Sequence, residues 1–383
     1  MLRLPDNFET FEEVKKQSFL RIMKEKEEGK KLVGVFCTYT PLELIMAAGA
    51  NFVSLCGGSE HTIAAAESVL PKNLCPLIKS SYGFAITDTC PYFYFSDAIL
   101  AETTCDGKKK MYELLNRHKP VHVMHLPQGQ KGPLAVESWK QAMVEAKEFL
   151  ERELGVTITL NQIQEAIKKR NRIRKLLLKI YEIGKLNPSP VSGYEISSII
   201  ESSGFQFSDE DMEEELEKKY QELIARYQPQ ELGQPPRPRI MITGCPLTGV
   251  RDKIVKTVES MGADVVAFDN CSGPRTQERL VNEEMDPYQA LAENYLQINC
   301  SVMTPNTNRQ SDLERMIEEY QVDGVLEVVL CACHTFAIES NFTRETVTEK
   351  KGLPYLYVET DYSEGDLGQI TTRLGAFLEM IKM

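Results

Sequence analysis

The chain has no glycine-rich nucleotide loop: neither G-x-x-x-x-G-K-S/T nor a G-x-G-x-x-G following a strand occurs in it. Any ATP or nicotinamide chemistry therefore falls to another protein. Positive charge is also short. Forty-four Lys and Arg against 56 Asp and Glu leave a formal net charge of −12, which excludes the basic face that nucleic-acid phosphates require. Long apolar runs are missing too. The N-terminal MLRLPDNFETFEEVKK has no uninterrupted apolar core of the signal-peptide kind. The most apolar stretch, Val33 to Leu55, is broken by Thr38, Tyr39, Thr40, Pro41 and Glu43, too polar for a membrane span. These absences lead to the expectation of a cytoplasmic protein with no membrane and no nucleic-acid partner.

Cysteine, by contrast, is plentiful. Cys37, Cys56, Cys75, Cys90, Cys105, Cys245, Cys271, Cys300, Cys331 and Cys333 make ten, and nine fall beside Gly-, Pro- or Thr-rich breaks where strands are expected to end. In a reducing compartment such thiols act as metal ligands or buried packing groups, not as disulfides. Thiols at loops point to a soft-metal site, and iron–sulfur fits best.

The length, 383 residues, suits two or three domains. Thr10 and Glu13 form a capping-box pair ahead of an amphipathic helix to about Glu28. An α/β pattern follows, with strands LVGVF (32–36), FVSL (52–55), DAILA (97–101) and VHVMHL (121–126). From Pro133 to Tyr227 the apolar spacing is helical only, with a cap at Thr159/Gln162 and another at Ser208/Asp211. Proline-rich QPQELGQPPRPR (228–239) breaks the helical pattern. The α/β pattern then returns in RIMIT (239–243), DVVAF (264–268), GVLEVVL (324–330) and PYLYV (354–358). The expected organisation is α/β: residues 1–132 and 229–383 are pseudo-repeated open parallel-sheet domains, Rossmann- or flavodoxin-like, and 133–228 is a helical insert.

The two halves match in order. A strand runs into Cys37 or Gly244-Cys245, and a helix ends at Gly49-Ala50 or Gly262-Ala263. The next strand runs toward Cys56 or Cys271. Cys75 and Cys105 lie 30 residues apart, Cys300 and Cys331 31. Since ligands bind outside the carboxyl ends of parallel strands, the repeat would carry both thiol sets to ligand-binding ends. The bland alternative is a duplicated fold with cysteines as small core fillers.

Individual motifs sharpen this. Cys75 precedes a proline in LCPLIKS, and Cys105 stands in TTCDGKKK. There Lys108, Lys109 and Lys110 read as a solvated helix start whose charge would also offset a cluster's. Cys331 and Cys333 in VLCACHTF share a face if the strand continues and diverge if it turns. That spacing is too tight for the usual zinc Cys-x-x-Cys. Cys271 and Cys300 each neighbour an asparagine and a serine. Cys90, within aromatics, reads as packing. Of the five histidines, His122 and His125 read as structural. His61, beside Glu60, and His334, following Cys333, are candidate proton donors, and Glu339 is a weaker one.

LVGVFCTYTPLELIMAAGA, LCPLIKS, TTCDGKKKMYELL and LPYLYVETDYSEGDLGQITTRLGAFLEMI resemble the 2-hydroxyacyl-CoA dehydratase and benzoyl-CoA reductase family over nearly the whole chain. The resemblance implies one 4Fe–4S cluster on three cysteines, here Cys75, Cys105 and Cys333, with one iron left for substrate. The surplus thiols, Cys331 above all, resemble the double-cubane cluster proteins of that family, which hold an 8Fe–9S cofactor. That likeness assigns a second cubane to Cys271, Cys300 and Cys331, with Cys37, Cys56 and Cys245 as substitutes. It also implies an anaerobic homodimer served by a separate ATP-dependent iron–sulfur activator, reducing a small unsaturated molecule. The rival implications are a 2-hydroxyacyl-CoA dehydratase subunit with a single 4Fe–4S cluster, or a non-catalytic electron carrier.

Overall fold

Each expected buried run becomes a parallel strand in the computed structural model, which describes residues 3–206, 209–227, 237–271 and 273–382. The chain divides into two compact units. The first takes in Met1–Arg170, Gly204–Ser208 and Val281–Leu296, the second Asn171–Ser203, Asp209–Leu280 and Gln297–Met383.

The first unit holds β1 (Leu32–Val35), β2 (Asn51–Ser54), β3 (Ala98–Glu102), β4 (Val121–Met124) and the two-residue β5 (Phe205–Gln206). Their order is β4-β3-β1-β2-β5. The first four run parallel and β5 pairs antiparallel with β2. The second unit holds β6 (Arg239–Gly244), β7 (Asp264–Asp269), β8 (Gly324–Leu330) and β9 (Tyr355–Thr360) in the order β7-β6-β8-β9, all parallel. In both sheets the first strand is central, the second lies on one side, and the third and fourth lie on the other. The repeat read from cysteine spacing is thus a repeat of topology. β1, β3, β6 and β8 are buried along their whole length, as parallel strands covered on both faces must be.

Helices at the expected places cover these sheets. Of segment 133–228, Pro133–Leu154 belongs to the first unit and Gly193–Ser202 and Asp209–Ile224 to the second, while Leu160–Glu182 contributes to both. The Thr159 cap forms as expected: its N–H and hydroxyl both donate to Gln162 Oε1 at 2.8 Å, and Gln162 N–H donates back to Thr159 Oγ1. The Thr10/Glu13 box does not form. Thr10 donates instead to the Asn7 carbonyl at 2.7 Å within a preceding 3-10 turn, and the helix Glu13–Glu27 starts without a side-chain cap. Ser208, the side chain of Asp211 and the prolines at 229, 235 and 236 lie outside the described residues. Among the described residues no helix is long and apolar enough to cross a membrane.

Under the second sheet lies a buried ionic network. Arg309 is fully enclosed. Its Nε donates to Asp269 Oδ2 at 3.1 Å and Nη2 to Thr243 Oγ1 at 2.8 Å, with Glu339 and Glu327 at 3.5 and 3.8 Å. Arg275 grips the other Asp269 oxygen, Nε to Oδ1 2.9 Å. Burial alone would raise the Asp269 carboxyl, but the two guanidiniums hold it below the usual aspartate range.

Candidate functional site

The strand order reverses between β1 and β3 in the first unit and between β6 and β8 in the second, and ligands of open parallel sheets bind beyond the carboxyl ends at that reversal. Cys37 and Cys105 follow β1 and β3, and Cys56 follows β2. Cys245, Cys331 and Cys333 follow β6 and β8, and Cys271 follows β7. No disulfide joins any of the ten.

In the first unit, Cys75 N-caps the helix Pro76–Ile86 and Cys105 N-caps the helix Asp106–Leu115. The amide of Lys108 points at Cys105 Sγ, 3.5 Å away. Free amides at a helix start, with the positive dipole end, favour a thiolate over a thiol. The two caps lie close together because Gly107, in the first turn of the second helix, presses on residues flanking Cys75: a Cβ there would stand 2.7 Å from Ile78 Cδ1 and 3.1 Å from Leu74 Cδ1. Gly57, after Cys56, approaches the Pro76–Ile86 helix so closely that a Cβ would meet Ser81 N at 2.6 Å.

Lys108 stands among these thiols. Its Nζ donates to the Phe36 carbonyl at 2.9 Å and to Cys56 Sγ at 3.7 Å, and Cys56 Sγ donates to the same carbonyl at 2.8 Å. Burial works to lower the Lys108 pKa, but Cys56, the Tyr112 hydroxyl, Cys37 and Cys105 carry it well above the usual lysine value. The expectation of three solvated lysines is thus corrected. Lys109 and Lys110 are exposed and pair with Asp106 and Glu113, whereas Lys108 turns inward. Beneath it, Glu102 at the end of β3 is fully buried and accepts a hydrogen bond from the Thr40 hydroxyl. Burial pushes its carboxyl up to about 8, so it holds a proton at neutral pH. Neither Thr40 nor Glu102 stands out in the sequence, because only the β1–β3 pairing brings them together.

That proton has a thermodynamic consequence. Between the ordinary value of 4.5 and the folded value of about 8, the unfolded chain releases the proton while the folded chain keeps it. Stability therefore falls as pH rises through this window, by up to about 1.4 kcal/mol per pH unit. Glu102→Gln is expected to flatten that decline in thermal melts. A variant whose melting falls as steeply as the native chain's would dismiss the buried proton.

In the second unit, Ser301, next to Cys300, donates to the Thr335 hydroxyl at 3.0 Å, and Thr335 lies 4.0 Å from Cys333 Sγ. Asn306 bridges the Cys300 carbonyl and Glu339 Oε1 at 3.0 and 2.9 Å. Arg275, whose pKa burial would lower, is raised by Asp269 and by Cys271 and Cys300. Cys271, Cys300 and Cys333 thus belong to one neighbourhood. Cys333 N-caps the helix His334–Arg344, as Cys75 and Cys105 cap theirs. Cys331 diverges from it: β8 ends at Leu330 and Ala332 takes a left-handed φ of 58°. Burial and the neighbouring Glu359, Asp361 and Asp366 push the Cys331 thiol up to about 11. Cys245 is a core thiol whose Sγ accepts from the Leu330 amide at 3.3 Å.

Cys90 caps a five-residue helix, and burial raises its thiol, in keeping with packing. His122 stacks on Phe149, centroids 5.3 Å apart. Glu60, His61 and His334 are exposed, and Glu339 is buried on Arg309.

Among the described residues, no three His, Cys, Asp or Glu side chains converge where a single metal ion would bind. A cubane makes a different demand, since each thiolate binds its own iron. Helix-capping cysteines, in two neighbourhoods with Lys108 half-buried in one and Arg275 buried in the other, form a donor set suited to it.

A family model described as 2-hydroxyglutaryl-CoA dehydratase, D-component, matches residues 37–381, and the chain belongs to that family. It is similar to the putative dehydratase subunit YjiM of Escherichia coli (strain K12), 47% identical over 381 residues, 99% of this chain and 98% of that one. It is similar also to the (R)-phenyllactyl-CoA dehydratase beta subunit of Clostridium sporogenes, 23% identical over 383 residues and 98% of each chain. A benzoyl-CoA reductase subunit of Thauera aromatica is 22% identical over 371 residues, 95% of this chain and 94% of that one. Family membership supports an enzyme-related role.

Proposed function

We propose that the chain is a cytoplasmic, low-potential iron–sulfur reductase that works as a homodimer. It takes electrons from a separate ATP-dependent iron–sulfur activator, holds an 8Fe–9S double cubane and reduces a small unsaturated molecule. The supporting observation is the doubling of thiol neighbourhoods, one in each topological repeat, each facing a cation, the half-buried Lys108 and the buried Arg275. A single 4Fe–4S cluster needs only one such set.

The family resemblance assigns Cys75, Cys105 and Cys333 to one cubane and Cys271, Cys300 and Cys331 to the other, whereas the contacts within the second unit group Cys333 with Cys271 and Cys300 and leave Cys331 apart. The acidic surroundings of Cys331 make it the weakest of the six, and Cys37 or Cys56, beside Lys108, the first substitute. When bound, the cluster supplies electrons at low potential. The chain's own part is to place positive charge at Lys108 and Arg275 and to hold a proton on Glu102. His61, with Glu60 beside it, and His334 are the proposed proton donors, and all three are exposed. The lack of a nucleotide loop supports a separate ATP-handling partner.

The names of the relatives favour a second reading, a dehydratase subunit with one 4Fe–4S cluster. Iron and acid-labile sulfide per chain, measured on anaerobically purified protein, separate the two. About eight irons with about nine sulfides are expected; about four of each would select the dehydratase reading, and none would overturn both.

A further inference from the structure

Lysines at a helix start are ordinarily solvated, and two of the three here are. Lys109 pairs with Asp106 at 2.6 Å and Lys110 with Glu113 at 2.5 Å. Lys108 lies one turn from the Cys105 cap and faces the other way. Its ammonium reaches the Phe36 carbonyl and Cys56 Sγ, with the Phe36 ring centroid 6.0 Å away. Among the described residues no carboxylate forms an ion pair with it. Burial raises Glu102 far enough to hold its proton, although it accepts a hydrogen bond from Thr40 and the Lys108 charge acts to lower its carboxyl. Even a half-buried ammonium without a counter-charge is unfavourable. Beyond the Phe36 carbonyl and the Tyr112 hydroxyl, the groups around it are sulfur: Cys56 at 3.7 Å, with Cys37 and Cys105 nearby.

We propose that Lys108 is a positioning residue whose fixed positive charge offsets the thiolates of the first unit and raises the reduction potential of a cluster bound to them. The proposal rests on the iron–sulfur reading above. The physics is simple: reduction adds negative charge, and a fixed cation nearby stabilises the reduced state more than the oxidised one. The equivalent place in the second unit is taken by Arg275, which differs in having a carboxylate of its own, Asp269. Among the described residues Lys108 forms no such ion pair, so its charge faces the thiols, the Phe36 carbonyl and the protonated Glu102.

The test compares Lys108→Met, Lys108→Arg and the exposed control Lys109→Met as full-length, anaerobically purified proteins. Iron content, thermal melting and an EPR-monitored redox titration are measured on each. Methionine keeps the length of the side chain and removes the charge. Lys108→Met is expected to shift the one-electron equilibrium about tenfold toward the oxidised state, a midpoint about 59 mV more negative. Lys108→Arg and Lys109→Met stay at the native value. A Lys108→Met protein that folds but keeps no iron, beside a Lys108→Arg protein that does, would also support the role of charge. Lys108→Met with a native midpoint, or Lys108→Arg without iron, would overturn the proposal. A native chain with no iron would instead sink the iron–sulfur reading itself.

Discussion

Cys105→Ala protein, purified without oxygen, is expected to carry no more than about half the iron of the native chain while melting at nearly the native temperature. Cys105 caps the helix Asp106–Leu115, whose Gly107 lets it press against Leu74 and Ile78 on either side of Cys75. Losing a helix cap costs about 1 kcal/mol, a small part of a stability of roughly 5–15 kcal/mol. Iron loss with an intact melt would therefore report a lost ligand. Cys90→Ala is the matched control, since Cys90 also caps a helix but packs among aromatics, and its iron content should be unchanged. Native iron in Cys105→Ala would remove Cys105 from the ligand set.

The largest stability effect is expected at Arg309. Replacing it with methionine keeps the bulk but leaves Asp269, Glu327 and Glu339 without the cation they share. Breaking a buried ion network by removing one partner costs about 3–5 kcal/mol. Glu327 and Glu339, already raised by burial, can relieve part of this by taking protons. Asp269, held below the usual range by Arg275 and Arg309 together, loses half of its support. Denaturant unfolding followed by circular dichroism should show the loss. Arg315→Met, in a partly exposed ion-pair group, should cost under about 1 kcal/mol. Equal effects at the two positions would mean that the buried network does not hold the second unit together.

Arg309 also marks where sequence reading stops. In TNRQSDLERMIEE it looks like any helical arginine, and nothing local says that it is enclosed. Lys108 is the same case: three adjacent lysines look alike, and only the helix's rotation about its axis decides which turns inward. Glu102 ends a strand in a sequence that shows no pocket. The two-residue β5 has no apolar run to announce it. The ladder strands were legible, since a parallel sheet covered on both faces demands continuous Val, Ile and Leu runs, and β8 spans the expected 324–330 without change. The Thr159/Gln162 cap was legible because its partners are three residues apart. Thr10/Glu13 has the same spacing and failed, because a 3-10 turn takes the Thr10 hydroxyl first.

Taken alone, the sequence determined which segments become the parallel strands and the long helices, that the α/β pattern occurs twice, and that thiols fall at strand ends. These are local properties, set by apolar periodicity and by residues that break it. Tertiary structure decided which thiols are neighbours, which lysine turns inward, and which carboxyl keeps its proton. Those depend on strand order and helix rotation, which bring together side chains such as those of Arg309 and Thr243, 66 positions apart. The charge of each group then follows from burial and from its new neighbours, and neither is written in the residues beside it.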